Sequence, residues 1–206
     1  MKIFSFANRL FSRSFHCIIV KLFCAISLVN KGGIVLKVII AGIERHSFVN
    51  GPGTRYVVFF QGCTHRCEKC QNPDTWDIEK GKIYDTDDIV NDILSTKYLD
   101  GVTFSGGDPL LQAKALSEMC KKLKEKNINI WCYTGWTYEA LENNAVSLEA
   151  KEALDHIDVL IDGPFVYSLL SDKCIYRGST NQRIIDIRKS REEKKVVLLD
   201  EFDYGL

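Results

Sequence analysis

The sequence predicts an α/β fold, an open partial (β/α) barrel with a mostly parallel sheet and crossover helices. Short apolar runs alternate with amphipathic stretches along most of the chain, the pattern of a parallel sheet. Several of those runs end in loops rich in glycine or cysteine, so the polar chemistry sits where strands stop. About five strands are legible, too few to close an eight-stranded barrel.

The chain has 206 residues, 46% hydrophobic and 26% charged, with no internal repeat, which suits a single domain with a real core. Formal net charge is zero, so nothing asks for nucleic acid, which needs a basic surface. The eight cysteines are irregularly spaced in a chain too long to need stapling, which fits a reducing, cytoplasmic compartment.

Residues 1–34 differ from the rest. They carry Lys2, Arg9, Arg13, Lys21 and Lys31, and the first acidic residue is Glu44. Phe15–Val29 is apolar except for His16, Lys21 and Ser27. A signal peptide or membrane anchor is one reading. Against it, Lys21 interrupts a run that must be roughly 18 residues or longer to span, and no small-x-small cleavage site follows. The alternative is an N-terminal extension outside the working protein. Lys31-Gly32-Gly33 can be encoded by an all-purine tract of the kind ribosomes pair with, and Val35 and Leu36 by alternative start codons. The expected domain is therefore 35–206, an ordinary size of about 170 residues.

Leu36–Ile40 reads as a short first strand, and Asn50-Gly51-Pro52-Gly53 as a turn leading into the strand Tyr56–Phe60. Asp85 or Thr86 caps a helix to about Leu94, with Ile89, Val90, Ile93 and Leu94 on one face. Gly101–Phe104 is a strand that runs into Ser105-Gly106-Gly107-Asp108-Pro109. A helix follows from about Gln112 to Lys126, with Ala113, Leu116, Cys120 and Leu123 at helical spacing. Ile128–Tyr133 is a strand, Tyr138–Glu142 and Leu148–Asp155 are helical, Val159–Ile161 is a strand, and Arg183–Ile187 is a last one. If the strands are parallel, the cysteine loop, Gly106-Gly107, Thr134-Gly135 and Asp162-Gly163 gather on one rim, where α/β folds bind ligands. Cys120 and Cys132 fall on apolar faces and read as core. The Lys121–Lys126 cluster reads as a solvated helix face, and Cys174 has no account.

The chemistry begins at Cys63, Cys67 and Cys70, spaced C-x3-C-x2-C after a buried strand. Three soft ligands in one loop read as a metal site. An iron–sulfur cube takes four thiolates, so three leave one iron open to another ligand. Zinc held by the three sulfurs and His65 is the competing reading. Gly106 and Gly107 follow the next parallel strand, where a backbone without side chains can approach a ligand closely.

Taken together, these motifs resemble the radical S-adenosylmethionine enzymes, which pair C-x3-C-x2-C with Gly-Gly-Glu/Asp-Pro. Further blocks narrow the resemblance: Val49-Asn50-Gly51-Pro52-Gly53-Thr54-Arg55, Tyr133-Thr134-Gly135-Trp136-Thr137, Val159 to Phe165, and Tyr176-Arg177-Gly178-Ser179 with Asn181-Gln182-Arg183. They look like the activating proteins of anaerobic ribonucleoside-triphosphate reductase, over roughly residues 36–190. The resemblance implies a barrel of radical S-adenosyl-L-methionine type and a [4Fe-4S] cluster on Cys63, Cys67 and Cys70. It implies S-adenosyl-L-methionine near Lys69, Cys70 and Gln71 and on the backbone of Gly106 and Gly107. It also implies a 5′-deoxyadenosyl radical that takes hydrogen from a glycine of the reductase's large subunit. The residue before the third cysteine is often aromatic in that superfamily, and here it is Lys69, which leaves Trp131 or Tyr133 as the candidates for contact with the adenine.

His65, Arg66 and Lys69 put positive charge beside the cluster loop, where an acidic donor, reduced flavodoxin or ferredoxin, can dock by steering; a solvated loop is the plain alternative. A pyruvate formate-lyase activator, a deazaguanine-forming enzyme and a zinc-binding module without catalysis remain the competing functions. For the N-terminus, the intact mass of protein purified from its own organism is expected to lack Met1–Ile34, and a species retaining them overturns that expectation.

Overall fold

The computed structural model describes residues 28–30, 33–199 and 202. Most of the expected N-terminal extension lies outside them. Leu28–Asn30 (β1) and Gly33–Val35 (β2) pair antiparallel as a separate two-stranded ribbon. Among the described residues no helix is long and apolar enough to cross a membrane.

Seven strands form one sheet: β3 (Lys37–Ser47), β4 (Arg55–Phe60), β5 (Lys82–Asp85), β6 (Gly101–Gly106), β7 (Ile130–Tyr133), β8 (Val159–Asp162) and β9 (Arg183–Asp186). Their order is β5-β3-β4-β6-β7-β8-β9. β4, β6, β7 and β8 run parallel in register. β3 is antiparallel to both β4 and β5, so β5 shares the direction of the central four and five of the seven strands agree. β9 returns antiparallel to β8. The sheet is mixed, mostly parallel and open at two edges, and β5 is the one strand in it that the sequence does not predict.

One face of the sheet is apolar and covered by helices. Tyr56, Val58, Phe60, Val102, Phe104, Ile130, Cys132 and Leu160 alternate toward it. α1 (Thr86–Ser95) adds Ile89, Val90 and Ile93, and α2 (Ala113–Lys124) adds Leu116, Met119, Cys120 and Leu123. Cys120 and Cys132 are fully buried there, as expected. Phe60 and Phe104 meet edge to face across neighbouring strands, 5.8 Å between centroids. The short helices α3 (Tyr138–Glu142), α4 (Leu148–Ala153) and α5 (Ile187–Glu193) each start on a capping oxygen, from Thr137, Ser147 and Asp186.

The lysine cluster on α2 is not simply solvated. Lys122 pairs with Glu118 and with Asp87 on α1. Lys124 Nζ lies 2.7 and 2.9 Å from the two oxygens of Asp158, which also accepts from the Ile130 N–H at 2.8 Å. Two of the lysines therefore tie the helix to α1 and to the start of β7 and β8.

The opposite face is lined by Arg55, Thr103, Trp131, Val159, Ile161 and Ile184. Arg55 is buried and donates to the Val102 carbonyl, to Thr103 Oγ1 at 3.1 Å and to Asn129 Oδ1 at 2.8 Å. Burial pulls its guanidinium down to about 10. Trp131 packs edge to face against Tyr176 and Phe202, which cover this side.

Phe104→Ala is expected to destabilise the protein by about 3–5 kcal/mol, because the cavity it leaves is walled by Phe60 and helix residues that cannot collapse into it; urea unfolding checks this.

Candidate active site

The parallel strands β4, β6, β7 and β8 end on one side, and the loops that follow them converge there. A cavity of about 310 Å³ is lined by Cys63, Cys67, Cys70 and Gln71 from the first loop and by Ser105, Gly106 and Gly107 from the second. Thr134 and Gly135 line it from the third and Gly163 from the fourth. That is the rim expected from the sequence.

The cysteine loop is closed at its neck by backbone and amide. Gly62 N–H donates to Thr75 O at 2.7 Å and Cys63 N–H to Trp76 O at 3.2 Å. The buried Gln61 side chain donates to Asp74 O and Asp77 O at 2.8 and 2.7 Å. Within the loop, Arg66 and Lys69 both have φ of 52°, a left-handed conformation uncommon for such residues. Each directly precedes a cysteine, so each turn re-aims the sulfur that follows.

All three thiols are half-buried. Burial pushes the Cys63 thiol up, while the backbone N–H groups of His65 and Arg66 pull the other way. The Asn72 N–H donates to Cys70 Sγ at 3.3 Å.

The glycine loop meets the cysteine loop backbone to backbone. Gly107 N–H donates to Phe60 O, and Asp108 N–H to Gly62 O, both at 2.8 Å. Gly106 has φ of 101°, and a side chain on Gly107 would start 2.2 Å from the Gly62 carbonyl oxygen. No other residue fits this crossing.

Asp108, read from the sequence only as part of a glycine motif, is the hub of the rim. Its carboxylate is buried. It accepts from His65 Nε2 at 2.8 Å, Thr134 Oγ1 at 3.0 and 3.1 Å, the Gly135 N–H at 3.1 Å and the Leu110 N–H at 3.0 Å. His65 also packs edge to face on Trp136, 4.8 Å between centroids. The histidine thus has Nε2 engaged by Asp108 and its ring packed on Trp136. Among the described residues, no three His, Cys, Asp or Glu side chains converge on a single-ion site. A cube with metal at four corners instead asks for sulfurs spread over separate irons. Three half-buried thiols on one wall, a glycine cradle on the next, and the buried, unpartnered indole N–H of Trp76 in the lining fit that group.

Lys69 stands apart from the cavity lining. Its Nζ lies 3.7 Å above the Tyr167 ring, and Arg66 lies over Trp76 at 5.3 Å. Of the two adenine candidates, Tyr133 lines the cavity, whereas Trp131 packs edge to face against Tyr176 outside it. Cys174, Tyr176 and Arg177 line the cavity and were not assigned from the sequence.

The family profile described as a 4Fe-4S single cluster domain matches residues 49–185, the stretch that carries every loop of this rim. The activating protein of anaerobic ribonucleoside-triphosphate reductase from Enterobacteria phage T4 is 37% identical over 144 residues, which is 66% of this chain and 86% of the phage protein. The chain belongs to the family of anaerobic ribonucleoside-triphosphate reductase-activating proteins. The pyruvate formate-lyase-activating enzyme of Staphylococcus aureus is 36% identical over 169 residues, 78% of this chain and 66% of that enzyme. QueE from Escherichia coli, a solved structure, aligns with a TM-score of 0.40 at 17% identity, over 49% of this chain and 54% of that one.

For a member of this family, Asp108→Ala is expected to lower stability by about 3 kcal/mol, since it strands several buried donors at once. Asp108→Asn keeps one acceptor and should cost less. Urea midpoints at matched iron content measure both.

Proposed function

We propose that this protein activates anaerobic ribonucleoside-triphosphate reductase as a radical S-adenosyl-L-methionine enzyme, and that its sheet is the open partial barrel of that superfamily. The observation that carries the reading is the placement of Cys63, Cys67 and Cys70 with Gly106 and Gly107 around one cavity. Cys63, Cys67 and Cys70 would hold a [4Fe-4S] cluster, leaving one iron for S-adenosyl-L-methionine. When bound, such a cluster would supply one electron for reductive cleavage of the sulfonium to methionine and a 5′-deoxyadenosyl radical, the species that would take hydrogen from a glycine of the reductase's large subunit.

The chain's own residues bind, orient and exclude water. The backbone of Gly106 and Gly107 offers carbonyl oxygens to the ammonium group of the cofactor, their own approach being fixed by the crossing with Phe60 and Gly62. Cys70 and Gln71 border the same space. A cavity of about 310 Å³ lies at the small end of ligand clefts, which run from about 300 to 1,000 Å³. Tyr133, Phe165 and Trp76 contribute ring surface to its walls, which keeps water from a reactive carbon centre. The tie from His65 through Asp108 to Thr134 and Gly135 sets the cysteine loop against the rim.

Lys69 is better placed to hold Tyr167 over the rim than to reach into the cavity, so its contact with the cofactor would be with the outer edge of the bound molecule. Arg66 and Lys69 are exposed and keep a positive surface on the outside of the loop. That surface suits an acidic one-electron donor, reduced flavodoxin or ferredoxin, docking by charge.

After anaerobic reconstitution with iron and sulfide, the protein is expected to be brown and to release 5′-deoxyadenosine when reduced with S-adenosyl-L-methionine. With the purified large subunit present, a glycyl radical should appear in its electron paramagnetic resonance spectrum. Cys63→Ala, Cys67→Ala and Cys70→Ala should each abolish the release. Colourless protein with one zinc, or a radical on pyruvate formate-lyase but not on the reductase, overturns the reading.

A further inference from the structure

The described residues include eleven large apolar side chains exposed to solvent, and five of them sit on two loops that also supply walls of the cavity. Phe48 and Val49, 69% and 75% exposed, lie on the turn between β3 and β4, whose Val49 and Asn50 border the cavity. Tyr167, Leu169 and Leu170, 42%, 41% and 53% exposed, lie on the loop after β8, whose Phe165, Cys174 and Tyr176 border it from another side. Exposed apolar residues scattered singly need no explanation, but a group of them around one opening does.

Neither loop is loosely held. Asn50 O accepts from Thr103 Oγ1 at 2.7 Å, and Asn50 Oδ1 from Ser47 Oγ at 2.7 Å, so the turn is pinned to the sheet under Phe48 and Val49. On the other side, Tyr133 Oη donates to Tyr176 O at 2.6 Å, Gln182 Nε2 to Gly163 O at 2.9 Å, and Thr180 N–H to Leu169 O at 2.9 Å. Lys69 adds a cation over the Tyr167 ring and couples this loop to the cysteine loop. The backbone is fixed while the leucines are turned outward. Such a surface loses little freedom on binding, as a docking site requires.

We infer that Phe48 and Val49 with Leu169 and Leu170 form a collar that receives the glycine-bearing segment of the reductase's large subunit. The inference rests on the function proposed above. Hydrogen is to be taken from a backbone carbon, so the partner must insert main chain toward the cavity. The residues flanking its glycine then come to rest on whatever surrounds the mouth. Around this mouth the surface is apolar and rigid, so the segment it fits carries apolar side chains on both sides of the glycine.

The test uses the reconstituted holoenzyme and the purified large subunit. Leu169→Asp/Leu170→Asp and, separately, Phe48→Asp place charge on each side of the collar at exposed positions outside the cavity lining. Each variant is expected to bind the large subunit at least tenfold more weakly by calorimetry. Each should also release 5′-deoxyadenosine without the partner, under dithionite, within twofold of the unaltered protein. Unchanged affinity in both variants overturns the collar, as does an equal loss of partner-independent release, which would place the damage in the site itself. So does a variant that only dissociates a dimer of this chain in sedimentation while holding the reductase as before. If the unaltered protein does not bind the large subunit at all, the functional reading falls instead.

Discussion

The carboxylate of Asp108 lies buried between three loops and is met there by a histidine, a hydroxyl and two backbone N–H groups. Removing a carboxylate from water costs several kcal/mol after relaxation, and the cost is offset only while its partners stay in place. The loop after β4, the loop after β6 and the loop after β7 are therefore coupled. Moving any one of them strands a buried charge or a buried donor. This coupling matters for the proposed reaction, which would join parts held by different loops: the three thiols on one, the glycine backbone on another. The sheet register supplies the coarse alignment, Phe60 opposite Gly106, and the Asp108 hub supplies the fine one.

The two faces of the sheet divide the work. The helix side is apolar throughout and accounts for the main core. The other side combines a buried arginine, threonine and serine with tryptophan and tyrosine, an arrangement costly for a core and useful for a site. Arg55 shows how the cost is held down. It satisfies carbonyls at the ends of β6 and β7 and stands over Trp131, so the guanidinium fastens strands together where a hydrophobic side chain could not.

Much of this was legible in the chain, for reasons that can be named. β4, β7 and β8 are buried on both faces and so appear as short apolar runs, and β6 as a run broken only by the buried Thr103 and Ser105. The strand-end loops could be placed on one rim from the alternation alone. β5 escaped notice because Lys82-Ile83-Tyr84-Asp85 is an edge strand with no buried residue. The outer half of β3 escaped because Gly42–His46 is largely exposed and the strand carries two register shifts. The sequence marks His65 as a zinc ligand or a surface cation, and no local signal points to Asp108, since that partner is 43 residues away. The same distance problem hid the Lys124–Asp158 tie, 34 residues apart. Periodicity reports which face a residue shares; it carries no information about which distant polar group will meet it there.

The left-handed turns at Arg66 and Lys69 follow from the same constraints. Nine residues from Gly62 to Cys70 must bring three sulfurs to one wall while His65 points inward to Asp108 and the neck stays shut. The left-handed residues stand just before Cys67 and Cys70, which both line the cavity, at a cost of order 1 kcal/mol each. The two residues that bear the strain are cations, and each rests on an aromatic ring, Arg66 on Trp76 and Lys69 on Tyr167. Those contacts fix the conformation that the backbone alone would not choose.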